Sequence, residues 1–331
     1  MILTSAPLRF SLIGGGSDLP AFTNSSTGRV LSCSINKRVY VTLNKNFSGR
    51  YRIAYSKLED VGSIDEINHI LVKSCLEKVN WSGPGLEITS VADVPSNGTG
   101  LGSSSAFTVA LLLGLNRLNG VKISKYDLAI QACEVEIELA KSPIGRQDQF
   151  ASTVGGLNEF VFHKSQVEIN RVRQVYAWSS RKLINNLNQH LLFFHFNSTR
   201  NANEILSRQS ELITQDLTYH NMTSELAQLA LDAKRFLKRS DFQSLGRIMT
   251  EGWAIKCRLN GDLENGEICE ILNFANESCV YGAKLLGAGG GGFVAILAHP
   301  KHHDFIKSSL KQKYPLTDIQ VEGTSAVIHK I

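Results

Sequence analysis

The sequence lacks the features that are typical of several classes of protein. Its first ten residues, MILTSAPLRF, contain no charged stretch followed by an apolar one, so we do not expect a signal peptide. The longest apolar run, around Ala110–Leu115, is too short to span a bilayer. The cysteines are scattered and form no CxxC pair: Cys33, Cys75, Cys133, Cys257, Cys269 and Cys279. This pattern favours small buried side chains in a reducing compartment, the cytoplasm.

Two further absences narrow the classes of ligand and of nucleotide-binding site that we expect for this chain. The chain has no Lys/Arg run and no basic residues interleaved with aromatic ones, so neither nucleic acid nor a membrane is an expected partner. Its net charge of +5 is mild and suits anionic small molecules such as ATP and sugar phosphates. The pattern GxxxxGK[ST] is missing, which excludes a P-loop kinase. A literal GxGxxG at Gly287–Gly292 precedes the strand-like FVAIL instead of a helix, so it does not indicate a dinucleotide site.

The composition is that of a folded protein of two domains or one large domain. It has 331 residues, of which 43% are hydrophobic and 20% charged. Strand and helix patterns are interspersed without a regular βαβ repeat, which favours an α+β fold. Expected elements include a strand at Leu8–Ile13, two short strands or one bent strand over Arg29–Leu43, helices at Ser124–Lys141 and Glu267–Val280, and a closing strand at Ile319–Ile328.

A glycine- and serine-rich stretch, Asp93–Phe107 (DVPSNGTGLGSSSAF), precedes the apolar helix Ala106–Leu118. Glycines allow positive φ and close approach of the backbone to a ligand, and the helix directs its positive dipole end at the loop. Serine hydroxyls at the helix start can cap N–H groups or contact a phosphate-bound Mg²⁺. A surface turn before a core helix is the alternative. The candidate nucleotide-binding residues are Pro95, Gly98, Gly100, Leu101, Gly102, Ser103, Ser104 and Ser105.

Two other stretches complete a pattern of three motifs. They are Ala6–Phe22 (APLRFSLIGGGSDLPAF) and Lys284–Phe293 (KLLGAGGGGF). In this order and at these separations, the three motifs resemble those of the GHMP small-molecule kinases. The resemblance implies an N-terminal domain like ribosomal protein S5 domain 2 in residues 1–178, a ferredoxin-like domain in residues 179–331, and an active site in the cleft between them.

The resemblance also implies an activity. The expected reaction is ATP- and Mg²⁺-dependent phosphorylation of an anomeric sugar hydroxyl, with D-glycero-D-manno-heptose 7-phosphate as the expected substrate. Another GHMP sugar 1-kinase, acting on fucose or on an unphosphorylated heptose, is one alternative. A catalytically silent sugar- or nucleotide-binding regulator is the other, although the joint presence of Arg9, Ser104, Glu136 and Asp148 argues against it. A homodimer is a possible assembly.

Asp148 and Arg9 are the candidate catalytic residues. Asp148 lies in GRQDQF, an irregular segment from which a carboxylate can reach a cleft, orient an attacking hydroxyl and accept its proton. Arg9 is a lone cation in the apolar run PLRFSLI and requires a partner, which Asp148 or a phosphate would supply. The resemblance places a catalytic aspartate and a basic residue at these positions. The alternatives are an aspartate that caps a turn and a surface arginine.

Glu136 is the candidate metal ligand, opposite Ser104. At three and four residues along the helix, Glu136 has apolar neighbours, whereas the neighbours of Glu134 and Glu138 include one another, Gln131, Lys141 and Ser142. A buried carboxylate requires a compensating cation, so Glu136 is the better Mg²⁺ ligand. Glu134 and Glu138 fit a solvated acidic face.

The candidate substrate residues come from several segments. The resemblance assigns Asp18 in GGGSDLP to sugar hydroxyls, although ordinary turn chemistry also explains it, and Ser17 and Ala21 depart from the family's usual Thr and Pro. The third motif is expected to form a glycine turn between a helix and a strand beside the phosphate loop. Arg146 and Arg200 are ranked first for binding a distal phosphate, ahead of Lys37 and Arg38. The full set of substrate candidates is Gly15, Gly16, Asp18, Arg146, Arg200, Gly289 and Gly290.

Overall fold

Two mainly antiparallel sheets and the helices packed on them make up the fold. The computed structural model describes residues 1–95, 99–173, 180–199, 202–261, 270–271, 273–274, 279–287 and 291–330. The expected α+β arrangement is confirmed, because the described strands pair antiparallel except where β3 (Tyr51–Ala54) runs parallel to β5 (Leu86–Ala92). No helix in this part of the chain is both long and apolar enough to cross a membrane.

The first sheet is organised around two long neighbouring strands, β1 and β2. Its described strands are β1 (Ile2–Ile13), β2 (Gly28–Lys45), β3, β4 (Leu58–Val61), β5, β6 (Leu157–Phe162), β7 (Val167–Arg171), β12 (Val321–Glu322) and β13 (Val327–His329). The main path runs β13-β1-β2-β5-β3-β4, and β6 and β12 also pair with β2. The segment Arg29–Leu43 therefore belongs to one continuous strand. Register shifts between Pro7 and Arg9 and between Ser11 and Ile13 interrupt the pairing of β1 with β2 at the first motif.

The second sheet contains β8 (Leu191–Thr199), β9 (Val280–Leu285), β10 (Gly291–Ala298) and β11 (Leu316–Thr317), in the order β11-β8-β10-β9. Phe10 of β1 meets Phe193 of β8 edge to face at 5.2 Å between ring centroids, so the two sheets share one apolar core. Because β12 and β13 return to the first sheet, the C-terminal residues contribute to both layers. The boundary at residues 178 and 179 stays a prediction, since residues 174–179 lie outside the described chain.

The helices cover both sheets. Those described are α1 (Pro20–Thr23), α2 (Ile70–Lys78), α3 (Ser103–Leu118), α4 (Lys125–Cys133), α5 (Gln147–Val154), α6 (Ser180–Asn188), α7 (Ala202–Gln215), α8 (Leu217–Arg239), α9 (Phe242–Leu259) and α10 (His303–Leu310), with 3₁₀ turns at Ile64–Glu66 and Pro300–His302. Helix α3 is apolar on most sides and is largely buried, as its sequence predicts. A π-helical turn, Glu134–Leu139, continues α4, whose N-cap Ser124 accepts the N–H of Asp127.

Four expectations are wrong in detail. Val280 begins strand β9, so the helix expected over Glu267–Val280 does not extend to its predicted end. The third motif consequently joins two antiparallel strands, β9 and β10, instead of a helix and a strand. Gly282 and Ala283 weaken the alternation that would have marked β9. The closing strand expected over Ile319–Ile328 is split into β12 and β13, because residues 323–326 do not pair with a neighbouring strand. Cys279, whose side chain was expected to be buried, is exposed.

Candidate functional site

An ion pair between β1 and α5 lies at the centre of the site. Arg9 donates from Nε to Asp148 Oδ1 and from Nη2 to Asp148 Oδ2, both at 2.6 Å. The side chain of Arg9 is 6% exposed and that of Asp148 is 21% exposed, so the carboxylate is the partner that faces outward. The two residues predicted to act together are therefore in contact, and the geometry excludes a surface arginine.

Arg9 also holds the glycine-rich loop against β1. Its Nη1 donates to the carbonyl of Gly100 at 2.6 Å, and its backbone N–H donates to the carbonyl of Leu101 at 3.0 Å. Gly100 and Gly102 have φ of 68° and 74°, a region that glycine adopts without strain. A Cβ on Gly102 would lie 3.0 Å from Asp148 Oδ2. The loop thus places the N-terminus of α3 directly beside the ion pair.

The third motif packs onto this loop. A Cβ on Gly287 would lie 2.5 Å from Gly100 Cα, and a Cβ on Gly100 would lie 2.4 Å from the carbonyl oxygen of Leu286. Only glycines permit this approach of two backbones, which agrees with the expected contact between the motifs. The predicted residues Gly98, Gly289 and Gly290 lie outside the described residues.

Ser103, Ser104 and Ser105 form the first turn of α3, as predicted. Ser104 Oγ donates to Glu136 Oε1 at 3.0 Å, and Gln149 Nε2 donates to Glu136 Oε2 at 2.6 Å. Glu136 is 1% exposed, and burial raises its pKa to about 7.

The other two glutamates of this helix face away. Glu134 pairs with Lys78 at 2.5 Å, and Glu138 is exposed. The prediction that Glu136 alone faces the apolar side is therefore confirmed. None of the salt bridges found among the described residues involves Glu136, so it is a buried carboxyl group without a cationic partner among them. The carboxylate of Glu136 and the hydroxyl of Ser104 fit Mg²⁺, which binds oxygen ligands. Waters and substrate phosphates usually supply the remaining ligands of this ion.

Asp18 lines the same cavity as the ion pair and is 1% exposed. Its carboxylate accepts the backbone N–H of Gly16 at 2.9 Å and that of Gln147 at 3.0 Å. Burial raises the pKa of Asp18, and these hydrogen bonds oppose the rise. A cavity of about 60 Å³ is lined by residues that include Arg9, Asp18 and Asp148.

Two features of the site were not found from the sequence. Lys256 of α9 lines the same cavity, and its Nζ donates to the carbonyl of Gly287 at 3.0 Å. It lies four residues after the buried Gly252 and three before the buried Leu259, so its position on the apolar face of α9 was the available signal. Burial lowers the pKa of Lys256 to about 8.

The second feature is a separate cavity of about 340 Å³ beside Ser103 and Ser104. Three rings line it: Tyr55 and His69 are 4.6 Å apart between centroids, and His69 and Phe107 are 5.2 Å apart. A flat aromatic ligand fits such a lining. Tyr55 and His69 carry no motif, so only the folded chain places them near the glycine-rich loop.

Of the two predicted phosphate-binding arginines, Arg146 is not among the described residues that line the smaller cavity. Arg146 donates to the carbonyl of His163 at 2.5 Å and to Thr23 Oγ1 at 3.3 Å, and it lies over the ring of Phe162. Arg200 is outside the described residues. Gly16 lines the smaller cavity, and Gly15 lies against Gln147, which also lines it, whereas Pro95 lines a different cavity together with Lys37.

Comparison with known proteins gives consistent matches across the chain. A family model described as GHMP kinases N terminal domain matches residues 69–156, and one described as GHMP kinases C terminal matches residues 233–316. The chain is 27% identical over 326 residues to the D-glycero-alpha-D-manno-heptose 7-phosphate kinase of Campylobacter jejuni subsp. jejuni serotype O:2, covering 94% of each chain. It is 24% identical over 340 residues to a galactokinase of Thermotoga neapolitana, covering 93% of each.

The fold is also found among solved structures. A D-glycero-D-manno-heptose 1-phosphate kinase from Bacteriodes thetaiotaomicron superimposes with a TM-score of 0.79 at 23% identity, covering 100% of this chain and 99% of that one. The names of these two heptose kinases differ in the position of the phosphate. Both matched segments contribute residues to the lining of the cavity that holds Arg9 and Asp148, and the chain belongs to the GHMP kinase family.

Proposed function

We propose that the protein is an ATP-dependent sugar kinase that phosphorylates an anomeric hydroxyl, with D-glycero-D-manno-heptose 7-phosphate as its substrate. The observation that carries this proposal is the bidentate pair of Arg9 and Asp148, which joins the glycine-rich loop to the cavity of Asp18. A carboxylate held in one orientation between an anion-binding loop and a polar cavity suits transfer of a phosphoryl group to an alcohol.

Asp148 acts as the proton acceptor. Its two oxygens offer about four lone-pair positions, and Arg9 occupies one on each oxygen, so positions remain for a sugar hydroxyl. The sugar oxygen forms a bond to the γ-phosphorus of ATP while the bond from that phosphorus to its bridging oxygen breaks and releases ADP. The hydroxyl proton passes to Asp148, and Arg9 keeps the carboxylate in position throughout.

The first turn of α3 and its loop hold the triphosphate. The N-terminus of α3, which begins at Ser103, faces this loop, and an anion is favoured at such a helix end. Ser104 and Glu136 would hold Mg²⁺, which neutralises phosphate charge during the transfer. The aromatic cavity of Tyr55, His69 and Phe107 would take the adenine ring.

Asp18 orients the sugar. Its Oδ1 accepts from the backbone of Gly16 and from Gln147 Nε2, whereas Oδ2 accepts one bond from the described residues, from the backbone of Gln147, so Oδ2 can accept a sugar hydroxyl beside Asp148. Support for a heptose 7-phosphate comes from the Campylobacter relative named above. The distal phosphate would be bound by Arg146 or Arg200, with rotation of Arg146 away from His163 in the first case.

ATP consumption against a panel of sugars tests the proposal. The panel contains heptose 7-phosphate, heptose 1-phosphate, free heptose, fucose and galactose, and the Asp148→Asn variant controls for contaminating kinases. The highest kcat/KM is expected with heptose 7-phosphate. A preference for a free sugar would replace this substrate by another sugar 1-kinase activity. Binding of sugar and ATP by calorimetry without turnover on any sugar would indicate a silent regulator.

A further inference from the structure

The cavity contains a buried cation that the proposed reaction does not yet use. Lys256 is 9% exposed and lines the cavity together with Arg9, Asp18 and Asp148. Its one hydrogen bond to the described residues is to the carbonyl of Gly287 at 3.0 Å, so two of the three ammonium N–H groups have no acceptor there. None of the salt bridges found in the described chain includes it.

A second buried lysine shows what a purely structural role looks like. Lys284 of β9 is 4% exposed, and its Nζ donates to the carbonyls of Ser11 and Leu12 at 2.9 and 3.0 Å. These bonds tie β9 to β1, and Lys284 is not among the residues that line the cavity. Lys256 differs in both respects, because it has unused donors and borders open space.

The position of Lys256 indicates which part of a bound ligand its ammonium would contact. Its hydrogen-bond acceptor, Gly287, touches Gly100 of the glycine-rich loop, where a Cβ on Gly287 would come within 2.5 Å of Gly100 Cα. On its other side Lys256 shares the cavity with Asp148. The ammonium therefore borders the space between the phosphate loop and the proton acceptor, which is the path of the transferred group.

From this geometry we infer that Lys256 is a further catalytic residue, which contacts the γ-phosphoryl group as it passes from ATP to the sugar. The inference rests on the proposed function. In such a transfer, negative charge spreads over three equatorial oxygens of the phosphoryl group, and a fixed cation stabilises that arrangement more than the ground state. Lysine acts as a point charge here, while Arg9 is occupied in holding Asp148.

The charged surroundings of Lys256 agree with an anion as its partner. It is faced by Arg9 from β1, Asp18 from the following loop, Asp148 from α5 and Lys284 from β9, with Cys257 next to it on α9. Burial lowers the pKa of Lys256 to about 8, because desolvation disfavours its charged form. An anionic phosphate beside the ammonium would favour the protonated form.

Steady-state kinetics of Lys256→Met, Lys256→Arg and the wild type test this role. We expect Lys256→Met to lower kcat by on the order of 10²–10³, with KM for sugar and ATP changed less than about threefold. Lys256→Arg should recover part of the loss. Arg258→Gln, an exposed position on the same helix, is the matched control and should resemble the wild type. Thermal unfolding and ADP affinity of each variant separate a catalytic loss from a folding defect.

The pH dependence supplies a second measurement that does not depend on the methionine variant. The kcat/KM of the wild type should fall above pH of about 8 as Lys256 loses its proton, and the fall should move to a much higher pH in Lys256→Arg. The inference is overturned if Lys256→Met keeps kcat within about threefold of the wild type, or if its loss is confined to KM for phosphorylated sugars. An unchanged pH profile in Lys256→Arg overturns it as well. Absence of wild-type activity on every sugar would instead reject the proposed function itself.

Discussion

Arg9 and Asp148 are 139 positions apart in the sequence, yet two parallel hydrogen bonds of 2.6 Å join them. The pair connects the first motif with the segment between α4 and β6, and the third bond from Arg9, to Gly100, connects both with the second motif. A single guanidinium thus sets the distance between the loop that would hold ATP and the carboxylate that would activate the sugar. Substitutions in the segments that meet at this pair can therefore test the proposed mechanism separately.

Asp148→Asn should keep the fold and ATP binding but lower kcat by on the order of 10²–10⁴, because an amide cannot accept the hydroxyl proton. The amide oxygen can still accept one of the two bonds from Arg9, so the loop should stay in place. Rapid-quench or steady-state kinetics with ATP titration by calorimetry measures both quantities. Turnover close to that of the wild type would remove Asp148 from the mechanism.

Gly102→Ala should lower activity through a steric effect on Asp148. The added methyl group would lie 3.0 Å from Asp148 Oδ2 and would force φ of 74° on an alanine. Gly120→Ala is the matched control, since Gly120 has φ of 73° and open space around its Cβ position. Both variants should lose about 1–2 kcal/mol of unfolding free energy from the left-handed backbone.

Only Gly102→Ala should also lose kcat, by at least about tenfold, because misplacement of a catalytic group by a fraction of an ångström is costly. Chemical denaturation and steady-state kinetics of the two variants make the comparison. Equal activity in both would show that the contact between the loop and Asp148 does not matter for turnover.

Glu136→Gln should raise the Mg²⁺ concentration needed for half-maximal activity by more than about tenfold, since a charged oxygen ligand is lost. Glu138→Gln is the control on the exposed side of the same helix and should leave the Mg²⁺ requirement unchanged. A Mg²⁺ titration of initial rates at saturating ATP distinguishes them. Equal shifts in the two variants would place the metal elsewhere.

Without divalent ions, Glu136→Gln should be more stable than the wild type at neutral and higher pH. The folded-state pKa of Glu136 is raised from 4.5 to about 7, so the folded protein binds more protons than the unfolded chain between these values. The wild type therefore loses stability relative to the variant as pH rises through this window, by on the order of 3 kcal/mol in total. Unfolding in EDTA at pH 5 and pH 8 measures the difference, and a stability gap that does not change with pH would contradict it.

Local patterns in the sequence predict several parts of the site. The glycine loop, the start of α3 and the inward face of Glu136 follow from residue type and helical spacing, and all of them agree with the structure. The mixed arrangement of strands and helices also follows from periodicity. A cation in an apolar strand requires a partner, and of the two candidates, Asp148 and a phosphate, Asp148 is the one that Arg9 contacts in the structure.

The rest depends on contacts between distant segments. Lys256 is one lysine on an amphipathic helix, and only the fold brings it next to Gly287 and Asp148. The end of the predicted helix at Val280 and the breaks in the closing strand are decided by pairing with β10 and β2, which local propensity does not encode. Tertiary context therefore overrides the local pattern at these elements.

The most direct test of the central claim is phosphorus NMR of the product formed from ATP, Mg²⁺ and D-glycero-D-manno-heptose 7-phosphate. We expect a new phosphate signal coupled to the anomeric proton, which the wild type forms and which Asp148→Asn forms at a rate lower by on the order of 10²–10⁴. Formation of the same signal by both proteins at equal rates, a phosphate on another hydroxyl, or no new signal while another sugar is phosphorylated would contradict it.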